Sequence, residues 1–307
     1  MSTEQRAGAA WFASEQADAV WQQSSLTPFG PATAIVHSCH DKAFAWQRRE
    51  GDDPLGELTR VFEPAELADP DIFIEQANKA IGNWPAWAKR DWTLKPRFGS
   101  SGRGRVAGTD HTIDTSIIRR SLPRLTQQGG LLLEPFCRER TDLSVQLFIP
   151  AQTDQAIDVV GSLEGIVTKS GSYLGHRGIV RNKQAYADHP MEELLHQQAI
   201  SLASHARQAG FWGPCGMDAF VYSHEGKDRL HICEFNARWT VGHVVHGLLR
   251  RCRRLNGETW STLRNGFEFR LDLPEGATHP GQIPLTMVGS RVTSAIFPRH
   301  VHTGKSG

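Results

Sequence analysis

No run of apolar residues in this 307-residue chain approaches the ~18 that a membrane-crossing helix needs. Surplus charge is missing too. The formal net charge is +1, whereas a dedicated nucleic-acid binder carries a clear basic excess. The first segment, Met1 to Val20, mixes Glu, Gln, Asp and Ala with no apolar core, so it is not expected to be a secretory signal peptide. Cysteines are few, five in all, and their odd number and wide spacing do not suggest a disulfide framework. His37-Ser-Cys39-His40 is the one metal-like cluster, and no second ligand pair stands at zinc-finger spacing from it. No repeat or low-complexity segment occurs. A soluble, cytoplasmic protein is expected, with no membrane and no nucleic acid among its partners.

What is present is ordinary globular material, 39% apolar and 22% charged, in a length that suits about two domains. Partial helix is expected around Ala9–Gln22, then a Pro/Gly break at Thr27–Pro31. Helices are expected over Asp69–Gly82, over Thr112–Leu122 with Pro123 ending it, and over Met191–Gly210. Another is expected in the basic segment Val244–Leu255. Strands are expected at Asp91–Lys95, Gly129–Glu134, Leu143–Ile149 and Ala156–Glu164, with a hairpin over Met217–Arg238. A further strand-like stretch begins at Phe267, before a Pro/Gly-rich tail of unclear role. This order suits an α+β fold with antiparallel sheets rather than a doubly wound parallel sheet.

Three stretches carry chemistry. The first is Lys95-Pro-Arg-Phe-Gly99-Ser100-Ser101-Gly102-Arg103-Gly104. A lysine at a strand end offers a point charge to phosphate, and the glycines let backbone N–H groups approach its oxygens. It is neither a Walker A loop nor a dinucleotide fingerprint. The alternative is a flexible surface loop. The second stretch is the hairpin holding Asp218, Glu234 and Asn236. A turn around Gly226 would set Tyr222 opposite Leu230 and Asp218 opposite Glu234, with His231 and Cys233 on the other face. Oxygen donors of this kind suit Mg²⁺ or Mn²⁺. The alternative is a solvent-facing acidic edge. The third is Leu131-Leu-Leu-Glu134-Pro-Phe136, an apolar strand ending in a carboxylate that could meet an adenine edge or simply end the strand.

In this order the motifs resemble the ATP-grasp superfamily, over roughly Asp41 to His246. The most specific part is Glu234-Phe-Asn236-Ala-Arg238, which resembles the Glu-x-Asn-Pro-Arg segment of biotin carboxylase and its relatives. The resemblance implies two α+β subdomains whose antiparallel sheets sandwich a nucleotide. It implies ATP and Mg²⁺ (or Mn²⁺) as cofactors, and carboxylate and amine small molecules as substrates. Lys42 and Lys95 resemble the phosphate lysines, and Gly99, Ser100, Ser101, Gly102 and Gly104 the loop that closes over the phosphates. Glu134 and Phe136 match the hinge at adenine, and Asp142 a ribose contact. Asp218, Glu234 and Asn236 match the metal ligands, and Arg238 the arginine that holds the acceptor carboxylate or the transferring phosphoryl group. Lys95 and Arg238 are thus the implied catalytic pair.

The implied domains are residues 1–90, a shortened N-terminal region with the start of the core; 91–150, the small subdomain with phosphate loop and hinge; and 151–307, the large subdomain with metal site and tail. The chain departs from the family in having only 41 residues before Lys42, so a second copy or a partner protein could complete the acceptor site. It departs again at Gly216, where the D-alanine–D-alanine ligase group carries arginine. Tyr173-Leu-Gly-His176-Arg177 reads as a polar loop where the family often binds its second substrate. The leading expectation is an ATP-dependent carboxylate–amine (or thiol) ligase. The alternatives are an ATP-grasp phosphotransferase and a non-catalytic nucleotide-binding subunit.

Overall fold

The computed structural model describes residues 7–8, 10–24, 27–88, 91–99, 104–109, 113, 115–168, 171–255, 263, 265–271, 273, 281–288 and 291–299. The chain opens with β1 (Ala7–Gly8), α1 (Glu15–Gln23), β2 (Thr27–Pro28), α2 (Thr33–His40), α3 (Lys42–Gln47) and α4 (Pro54–Leu58). Then follow β3 (Arg60–Phe62), α5 (Pro70–Asn83), β4 (Trp92–Pro96), β5 (Val106–Gly108), α6 (Thr115–Gln127) and β6 (Leu131–Pro135). A run of strands comes next: β7 (Thr141–Ile149), β8 (Asp158–Val167), β9 (Tyr173–Arg181) and β10 (Gln184–Tyr186). Helix α7 (Glu192–Gln208), β11 (Gly213–His224), β12 (Lys227–Asn236) and α8 (Val241–Leu255) lead to β13 (Phe267–Leu271), β14 (Ile283–Val288) and β15 (Arg291–Pro298). The class is α+β, as expected.

The chain forms two compact units, each built from separate stretches. One comprises 1–36, 141–218 and 236–307; the other comprises 37–140 and 219–235. The sequence reading divides the chain instead into three contiguous parts.

In the second unit β3, β6, β4 and β5 form an antiparallel sheet. Helix α5 starts where Asp69 accepts hydrogen bonds from the Asp71 and Ile72 amides at 2.9 and 3.3 Å, with Pro70 at its first position. Its Phe73, Ala77 and Ile81 and the Ile118, Leu122 and Leu125 of α6 follow helical spacing. They bury with Phe62, Leu94, Leu131 and Leu133 of the sheet in one core. Each of the Leu, Ile and Phe side chains contributes about 1.5–3 kcal/mol. Pro123 does not end α6 but lies inside it. The apolar seam of Ile118, Leu122 and Leu125 outweighs the one backbone hydrogen bond that proline removes.

In the first unit β11, β7, β8, β9, β13, β15 and β14 run in that order, with β10 on β9. Val245 and Leu249 of α8 pack on Leu163, Phe267, Phe269 and Ile296 of this sheet. The tail of unclear role therefore supplies sheet strands. Tyr173-Leu-Gly-His176-Arg177, expected as a polar loop, lies in strand β9. There Arg177 pairs in register with Glu164 on one side and Glu268 on the other, and its guanidinium is hydrogen-bonded to Glu164.

The hairpin β11–β12 is shared by the two units. Its turn is Glu225–Gly226, with φ of 52° and 71°. Two left-handed residues in sequence make the two-residue turn that matches strand twist, so His224 closes onto Lys227. The expected centre at Gly226 is off by one residue near the turn. In consequence His231 lies on the face of Phe220 and Tyr222, with ring centroids 4.8 Å apart for Phe220 and His231, not on the opposite face.

Candidate active site

In the second unit the chain before α3 turns so that Asp41 caps the helix, accepting from the Ala43 amide at 2.8 Å. The Arg97 guanidinium clasps that carboxylate, its Nε 3.0 Å from both oxygens. Lys42, the next residue, is held by this cap. Its Nζ lies 2.8 Å from Glu234 Oε2 and donates to the Gly99 carbonyl at 2.9 Å. Both side chains are largely buried, 11% and 14% exposed. A lysine and a carboxylate distant in sequence are thus brought together at the start of the glycine-rich segment. Of that segment, Gly99 and Gly104 are described; Ser100, Ser101 and Gly102 lie outside the described residues. Gly104 has φ +81°, a conformation that favours glycine, and its carbonyl accepts from Arg124 Nη2 at 2.8 Å.

Lys95 on β4 stands opposite Leu132 of β6, and Thr93 opposite Glu134, so Lys95 and Glu134 are diagonal neighbours on one face. Their side chains form an ion pair. Burial pulls the Lys95 ammonium down. The Glu134 carboxylate outweighs that, with the nearby Cys233 thiol adding to it, and holds Lys95 above its ordinary value. It is a fixed positive charge. Next along, the Phe136 ring carries three guanidinium groups: Arg105 at 4.8 Å, Arg140 at 5.4 Å and Arg138 at 5.7 Å from its centroid.

A buried cluster that sequence reasoning missed lies in the same unit. Asp53 Oδ2 is 2.9 Å from His231 Nδ1, and Tyr222 Oη donates to Asp53 Oδ1 at 3.4 Å while accepting from the Leu55 amide at 3.1 Å. Its members are distant in sequence, and no local pattern announces them.

In the first unit Asn236 Nδ2 donates to Asp218 Oδ2 at 2.8 Å, so two of the three candidate metal ligands stand side by side. Arg238 follows at once, its amide on the Asn236 carbonyl at 2.8 Å and its Nη1 on the Trp239 carbonyl at 3.0 Å. Asp142 opens β7, half-buried. Gly216 is closely packed: an added Cβ would lie 3.1 Å from both the Thr240 methyl and the Val145 carbonyl oxygen, so these neighbours would have to shift by a few tenths of an ångström.

Further polar groups of this unit were missed or left without a role. The Tyr173 hydroxyl is pushed up by burial, and the Asp218 carboxylate adds to the effect. Burial lowers His176 and His243 to about 4 and His246 to about 3, so all three are neutral at pH 7. His246 Nε2 sits 3.0 Å from Gln146 Oε1, and His243 Nε2 3.2 Å from the Leu147 carbonyl. Among the described residues there is no group of three His, Cys, Asp or Glu side chains that could hold a metal ion. No described helix is long and apolar enough to cross a membrane.

Neither a protein-family model nor any curated protein matches this sequence. Solved structures do. The N5-carboxyaminoimidazole synthase of Aspergillus clavatus, in complex with ADP and 5-aminoimidazole ribonucleotide, aligns over 95% of this chain and 77% of its own, with TM-score 0.56 and 14% identity. The biotin carboxylase of Campylobacter jejuni aligns over 92% and 67%, with TM-score 0.54 and 13% identity. The biotin carboxylase domain of the Hydrogenobacter thermophilus 2-oxoglutarate carboxylase, a dimer with MgADP, ADP and bicarbonate, aligns over 92% and 66%, with TM-score 0.54 and 15% identity. This chain has the ATP-grasp fold. It spans about two thirds of the length of the two carboxylases. Within the ATP-grasp fold, the ion pairs of Lys42 and Lys95 fall in one unit and the Asp218–Asn236 pair in the other.

Proposed function

We propose that this chain is an ATP-dependent ligase that activates a carboxylate as an acyl phosphate and joins it to an amine, releasing ADP and phosphate. The observation that carries this reading is the pair of fixed ammonium groups in the second unit, Lys42 on Glu234 and Lys95 on Glu134. Attack of a carboxylate on a γ-phosphate brings two anions together. Catalysis then rests on placed positive charge more than on covalent help from the protein. Lys42 and Lys95 supply such charge toward the phosphates, and Arg238 toward the acceptor carboxylate or the transferring phosphoryl group. Gly99 to Gly104 cover the phosphates and keep water from the acyl phosphate. Glu134, Phe136 and Asp142 take the base and ribose.

The donor chemistry fits Mg²⁺ (or Mn²⁺). Asp218, Asn236 and Glu234 each carry a side-chain oxygen, the donor type this ion takes, and none of the three is a sulfur or imidazole ligand. When bound, the ion offsets phosphate charge. In this reading the substrates are small molecules, and a second copy of the chain or a partner protein completes the acceptor site. The similar Hydrogenobacter domain is itself a dimer.

The test is product analysis with MgATP and a panel of carboxylates and amines. Phosphate release that needs both substrates, with an amide in the products, is expected. A stable phosphorylated acceptor without an amide would point to a phosphotransferase and sink the ligase reading.

A further inference from the structure

Helix α8 has two faces. Val245, Leu249 and Cys252, at i, i+4 and i+7, are buried and hold it on the sheet of the first unit. Val244, Gly247, Arg251 and Arg254, at i, i+3, i+7 and i+10, are exposed on the other side. Arg250 and Arg253 are exposed as well, so four guanidinium groups crowd about one helical turn, roughly 6 Å of rise. Elsewhere in this unit Arg177, Arg181 and Arg270 pair with Glu164, Asp188 and Glu268. Among the described residues no carboxylate pairs with any of the four on α8. A cation near a helix C-terminus suits the helix dipole, but like charges this close repel one another.

Gly247 is an independent observation on the same face. Glycine inside a helix is destabilising relative to alanine. Nothing within the fold requires it here. Its φ is not left-handed, and among the described residues no atom lies within 4 Å of an added Cβ. Bare backbone on an exposed helix face admits close approach from outside, and Val244, 42% exposed, adjoins it.

We propose that the outer face of α8 docks an acidic segment of another protein. The segment's backbone lies against Gly247 and Val244, and its carboxylates accept paired hydrogen bonds from the guanidinium groups of Arg250, Arg251, Arg253 and Arg254. Charge complementarity selects this partner, because four arginines without carboxylates await several carboxylates at short spacing. Nucleic acid fits less well: the basic patch stops after about one turn, and the net charge of the chain is only +1. The inference stands apart from the ligase reading, since no residue of the candidate active site takes part.

The experiment titrates the full chain into a fluorescein-labelled polyglutamate peptide and reads anisotropy at low and physiological salt, with labelled oligothymidine as the comparison probe. The expected result is peptide binding that weakens as salt rises. Arg251→Gln combined with Arg254→Gln should weaken it at least about tenfold. Arg60→Gln combined with Arg119→Gln removes the same charge from two exposed ion pairs of the other unit and should leave affinity within about twofold. Gly247→Leu adds bulk without charge and should weaken binding at least about fivefold. All these positions are exposed, so circular dichroism should show the fold retained. No binding by the wild type, equal loss in the two arginine pairs, or an unaffected Gly247→Leu protein overturns the proposal. Tighter binding of oligothymidine than of the peptide overturns the choice of an acidic protein as partner.

Discussion

Lys42 and Glu234 meet at 2.8 Å, one at the start of a helix, the other near the end of a long strand. The pair joins the lysine expected at phosphate to a carboxylate expected at metal. It also ties the Gly99 carbonyl, at the start of the glycine-rich segment, to the same ammonium. A change at any of these residues should be felt by the others.

Lys42→Met removes a charge-assisted contact worth about 1.5–3 kcal/mol. The expected outcome is MgATP binding weakened by roughly tenfold to a hundredfold, with the circular dichroism spectrum retained. Unchanged affinity would take Lys42 out of the site.

Glu134→Ala strands the Lys95 ammonium in the interior. Breaking a buried pair by removing one partner costs about 3–5 kcal/mol, and urea denaturation should show it. Pairing the change with Lys95→Met should restore part of the loss. Because Lys95 is held above its ordinary value of 10.5, its stabilisation is complete below that value and is lost as pH rises through the raised one. A denaturation series at alkaline pH should show the decline in the wild type and not in the double variant.

Asp53 gives the opposite sign. Burial pushes its carboxyl up. The hydrogen bond and charge of His231, the Gly56 amide and Arg49 together outweigh burial and hold it below its ordinary value of 3.8. Its stabilisation is therefore present above that value and is lost as pH falls through the lowered one. Asp53→Asn should cost about 1–3 kcal/mol at neutral pH and should flatten the acid limb of the stability profile. An acid limb identical to wild type would contradict the assignment.

Gly216→Arg tests the steric reading of the first unit. With the Thr240 methyl and the Val145 carbonyl 3.1 Å from an added Cβ, the variant should be destabilised by about 1–3 kcal/mol, as overpacked sites are. Gly216→Ala should cost less. A stable Gly216→Arg protein would show that the site can open.

Elements with strong local signals were legible in the sequence. The capped, periodic helix α5, the apolar strand β6 and the long helices α7 and α8 follow from spacing and end residues. The candidate site was legible as residue types in order, because lysine, glycine, glutamate, aspartate and asparagine each suit one task. Its pairings were not. Lys42 with Glu234 and Asp53 with His231 are contacts across long stretches of chain, and local pattern carries no record of them. The hairpin register turned on whether Glu225 joins Gly226 in left-handed conformation, an uncommon choice for a residue with a side chain. Pro123 misled because tertiary packing overrode a helix breaker. Strands β14 and β15 were hidden by the Pro/Gly content around them.

The most direct measurement is Mg²⁺-dependent ATP binding by titration calorimetry, comparing wild type with Glu234→Gln. The account predicts binding that requires the ion in the wild type and is lost or weakened at least about tenfold in the variant, with the fold retained. Equal, metal-independent binding in both proteins, or none in the wild type, would contradict it.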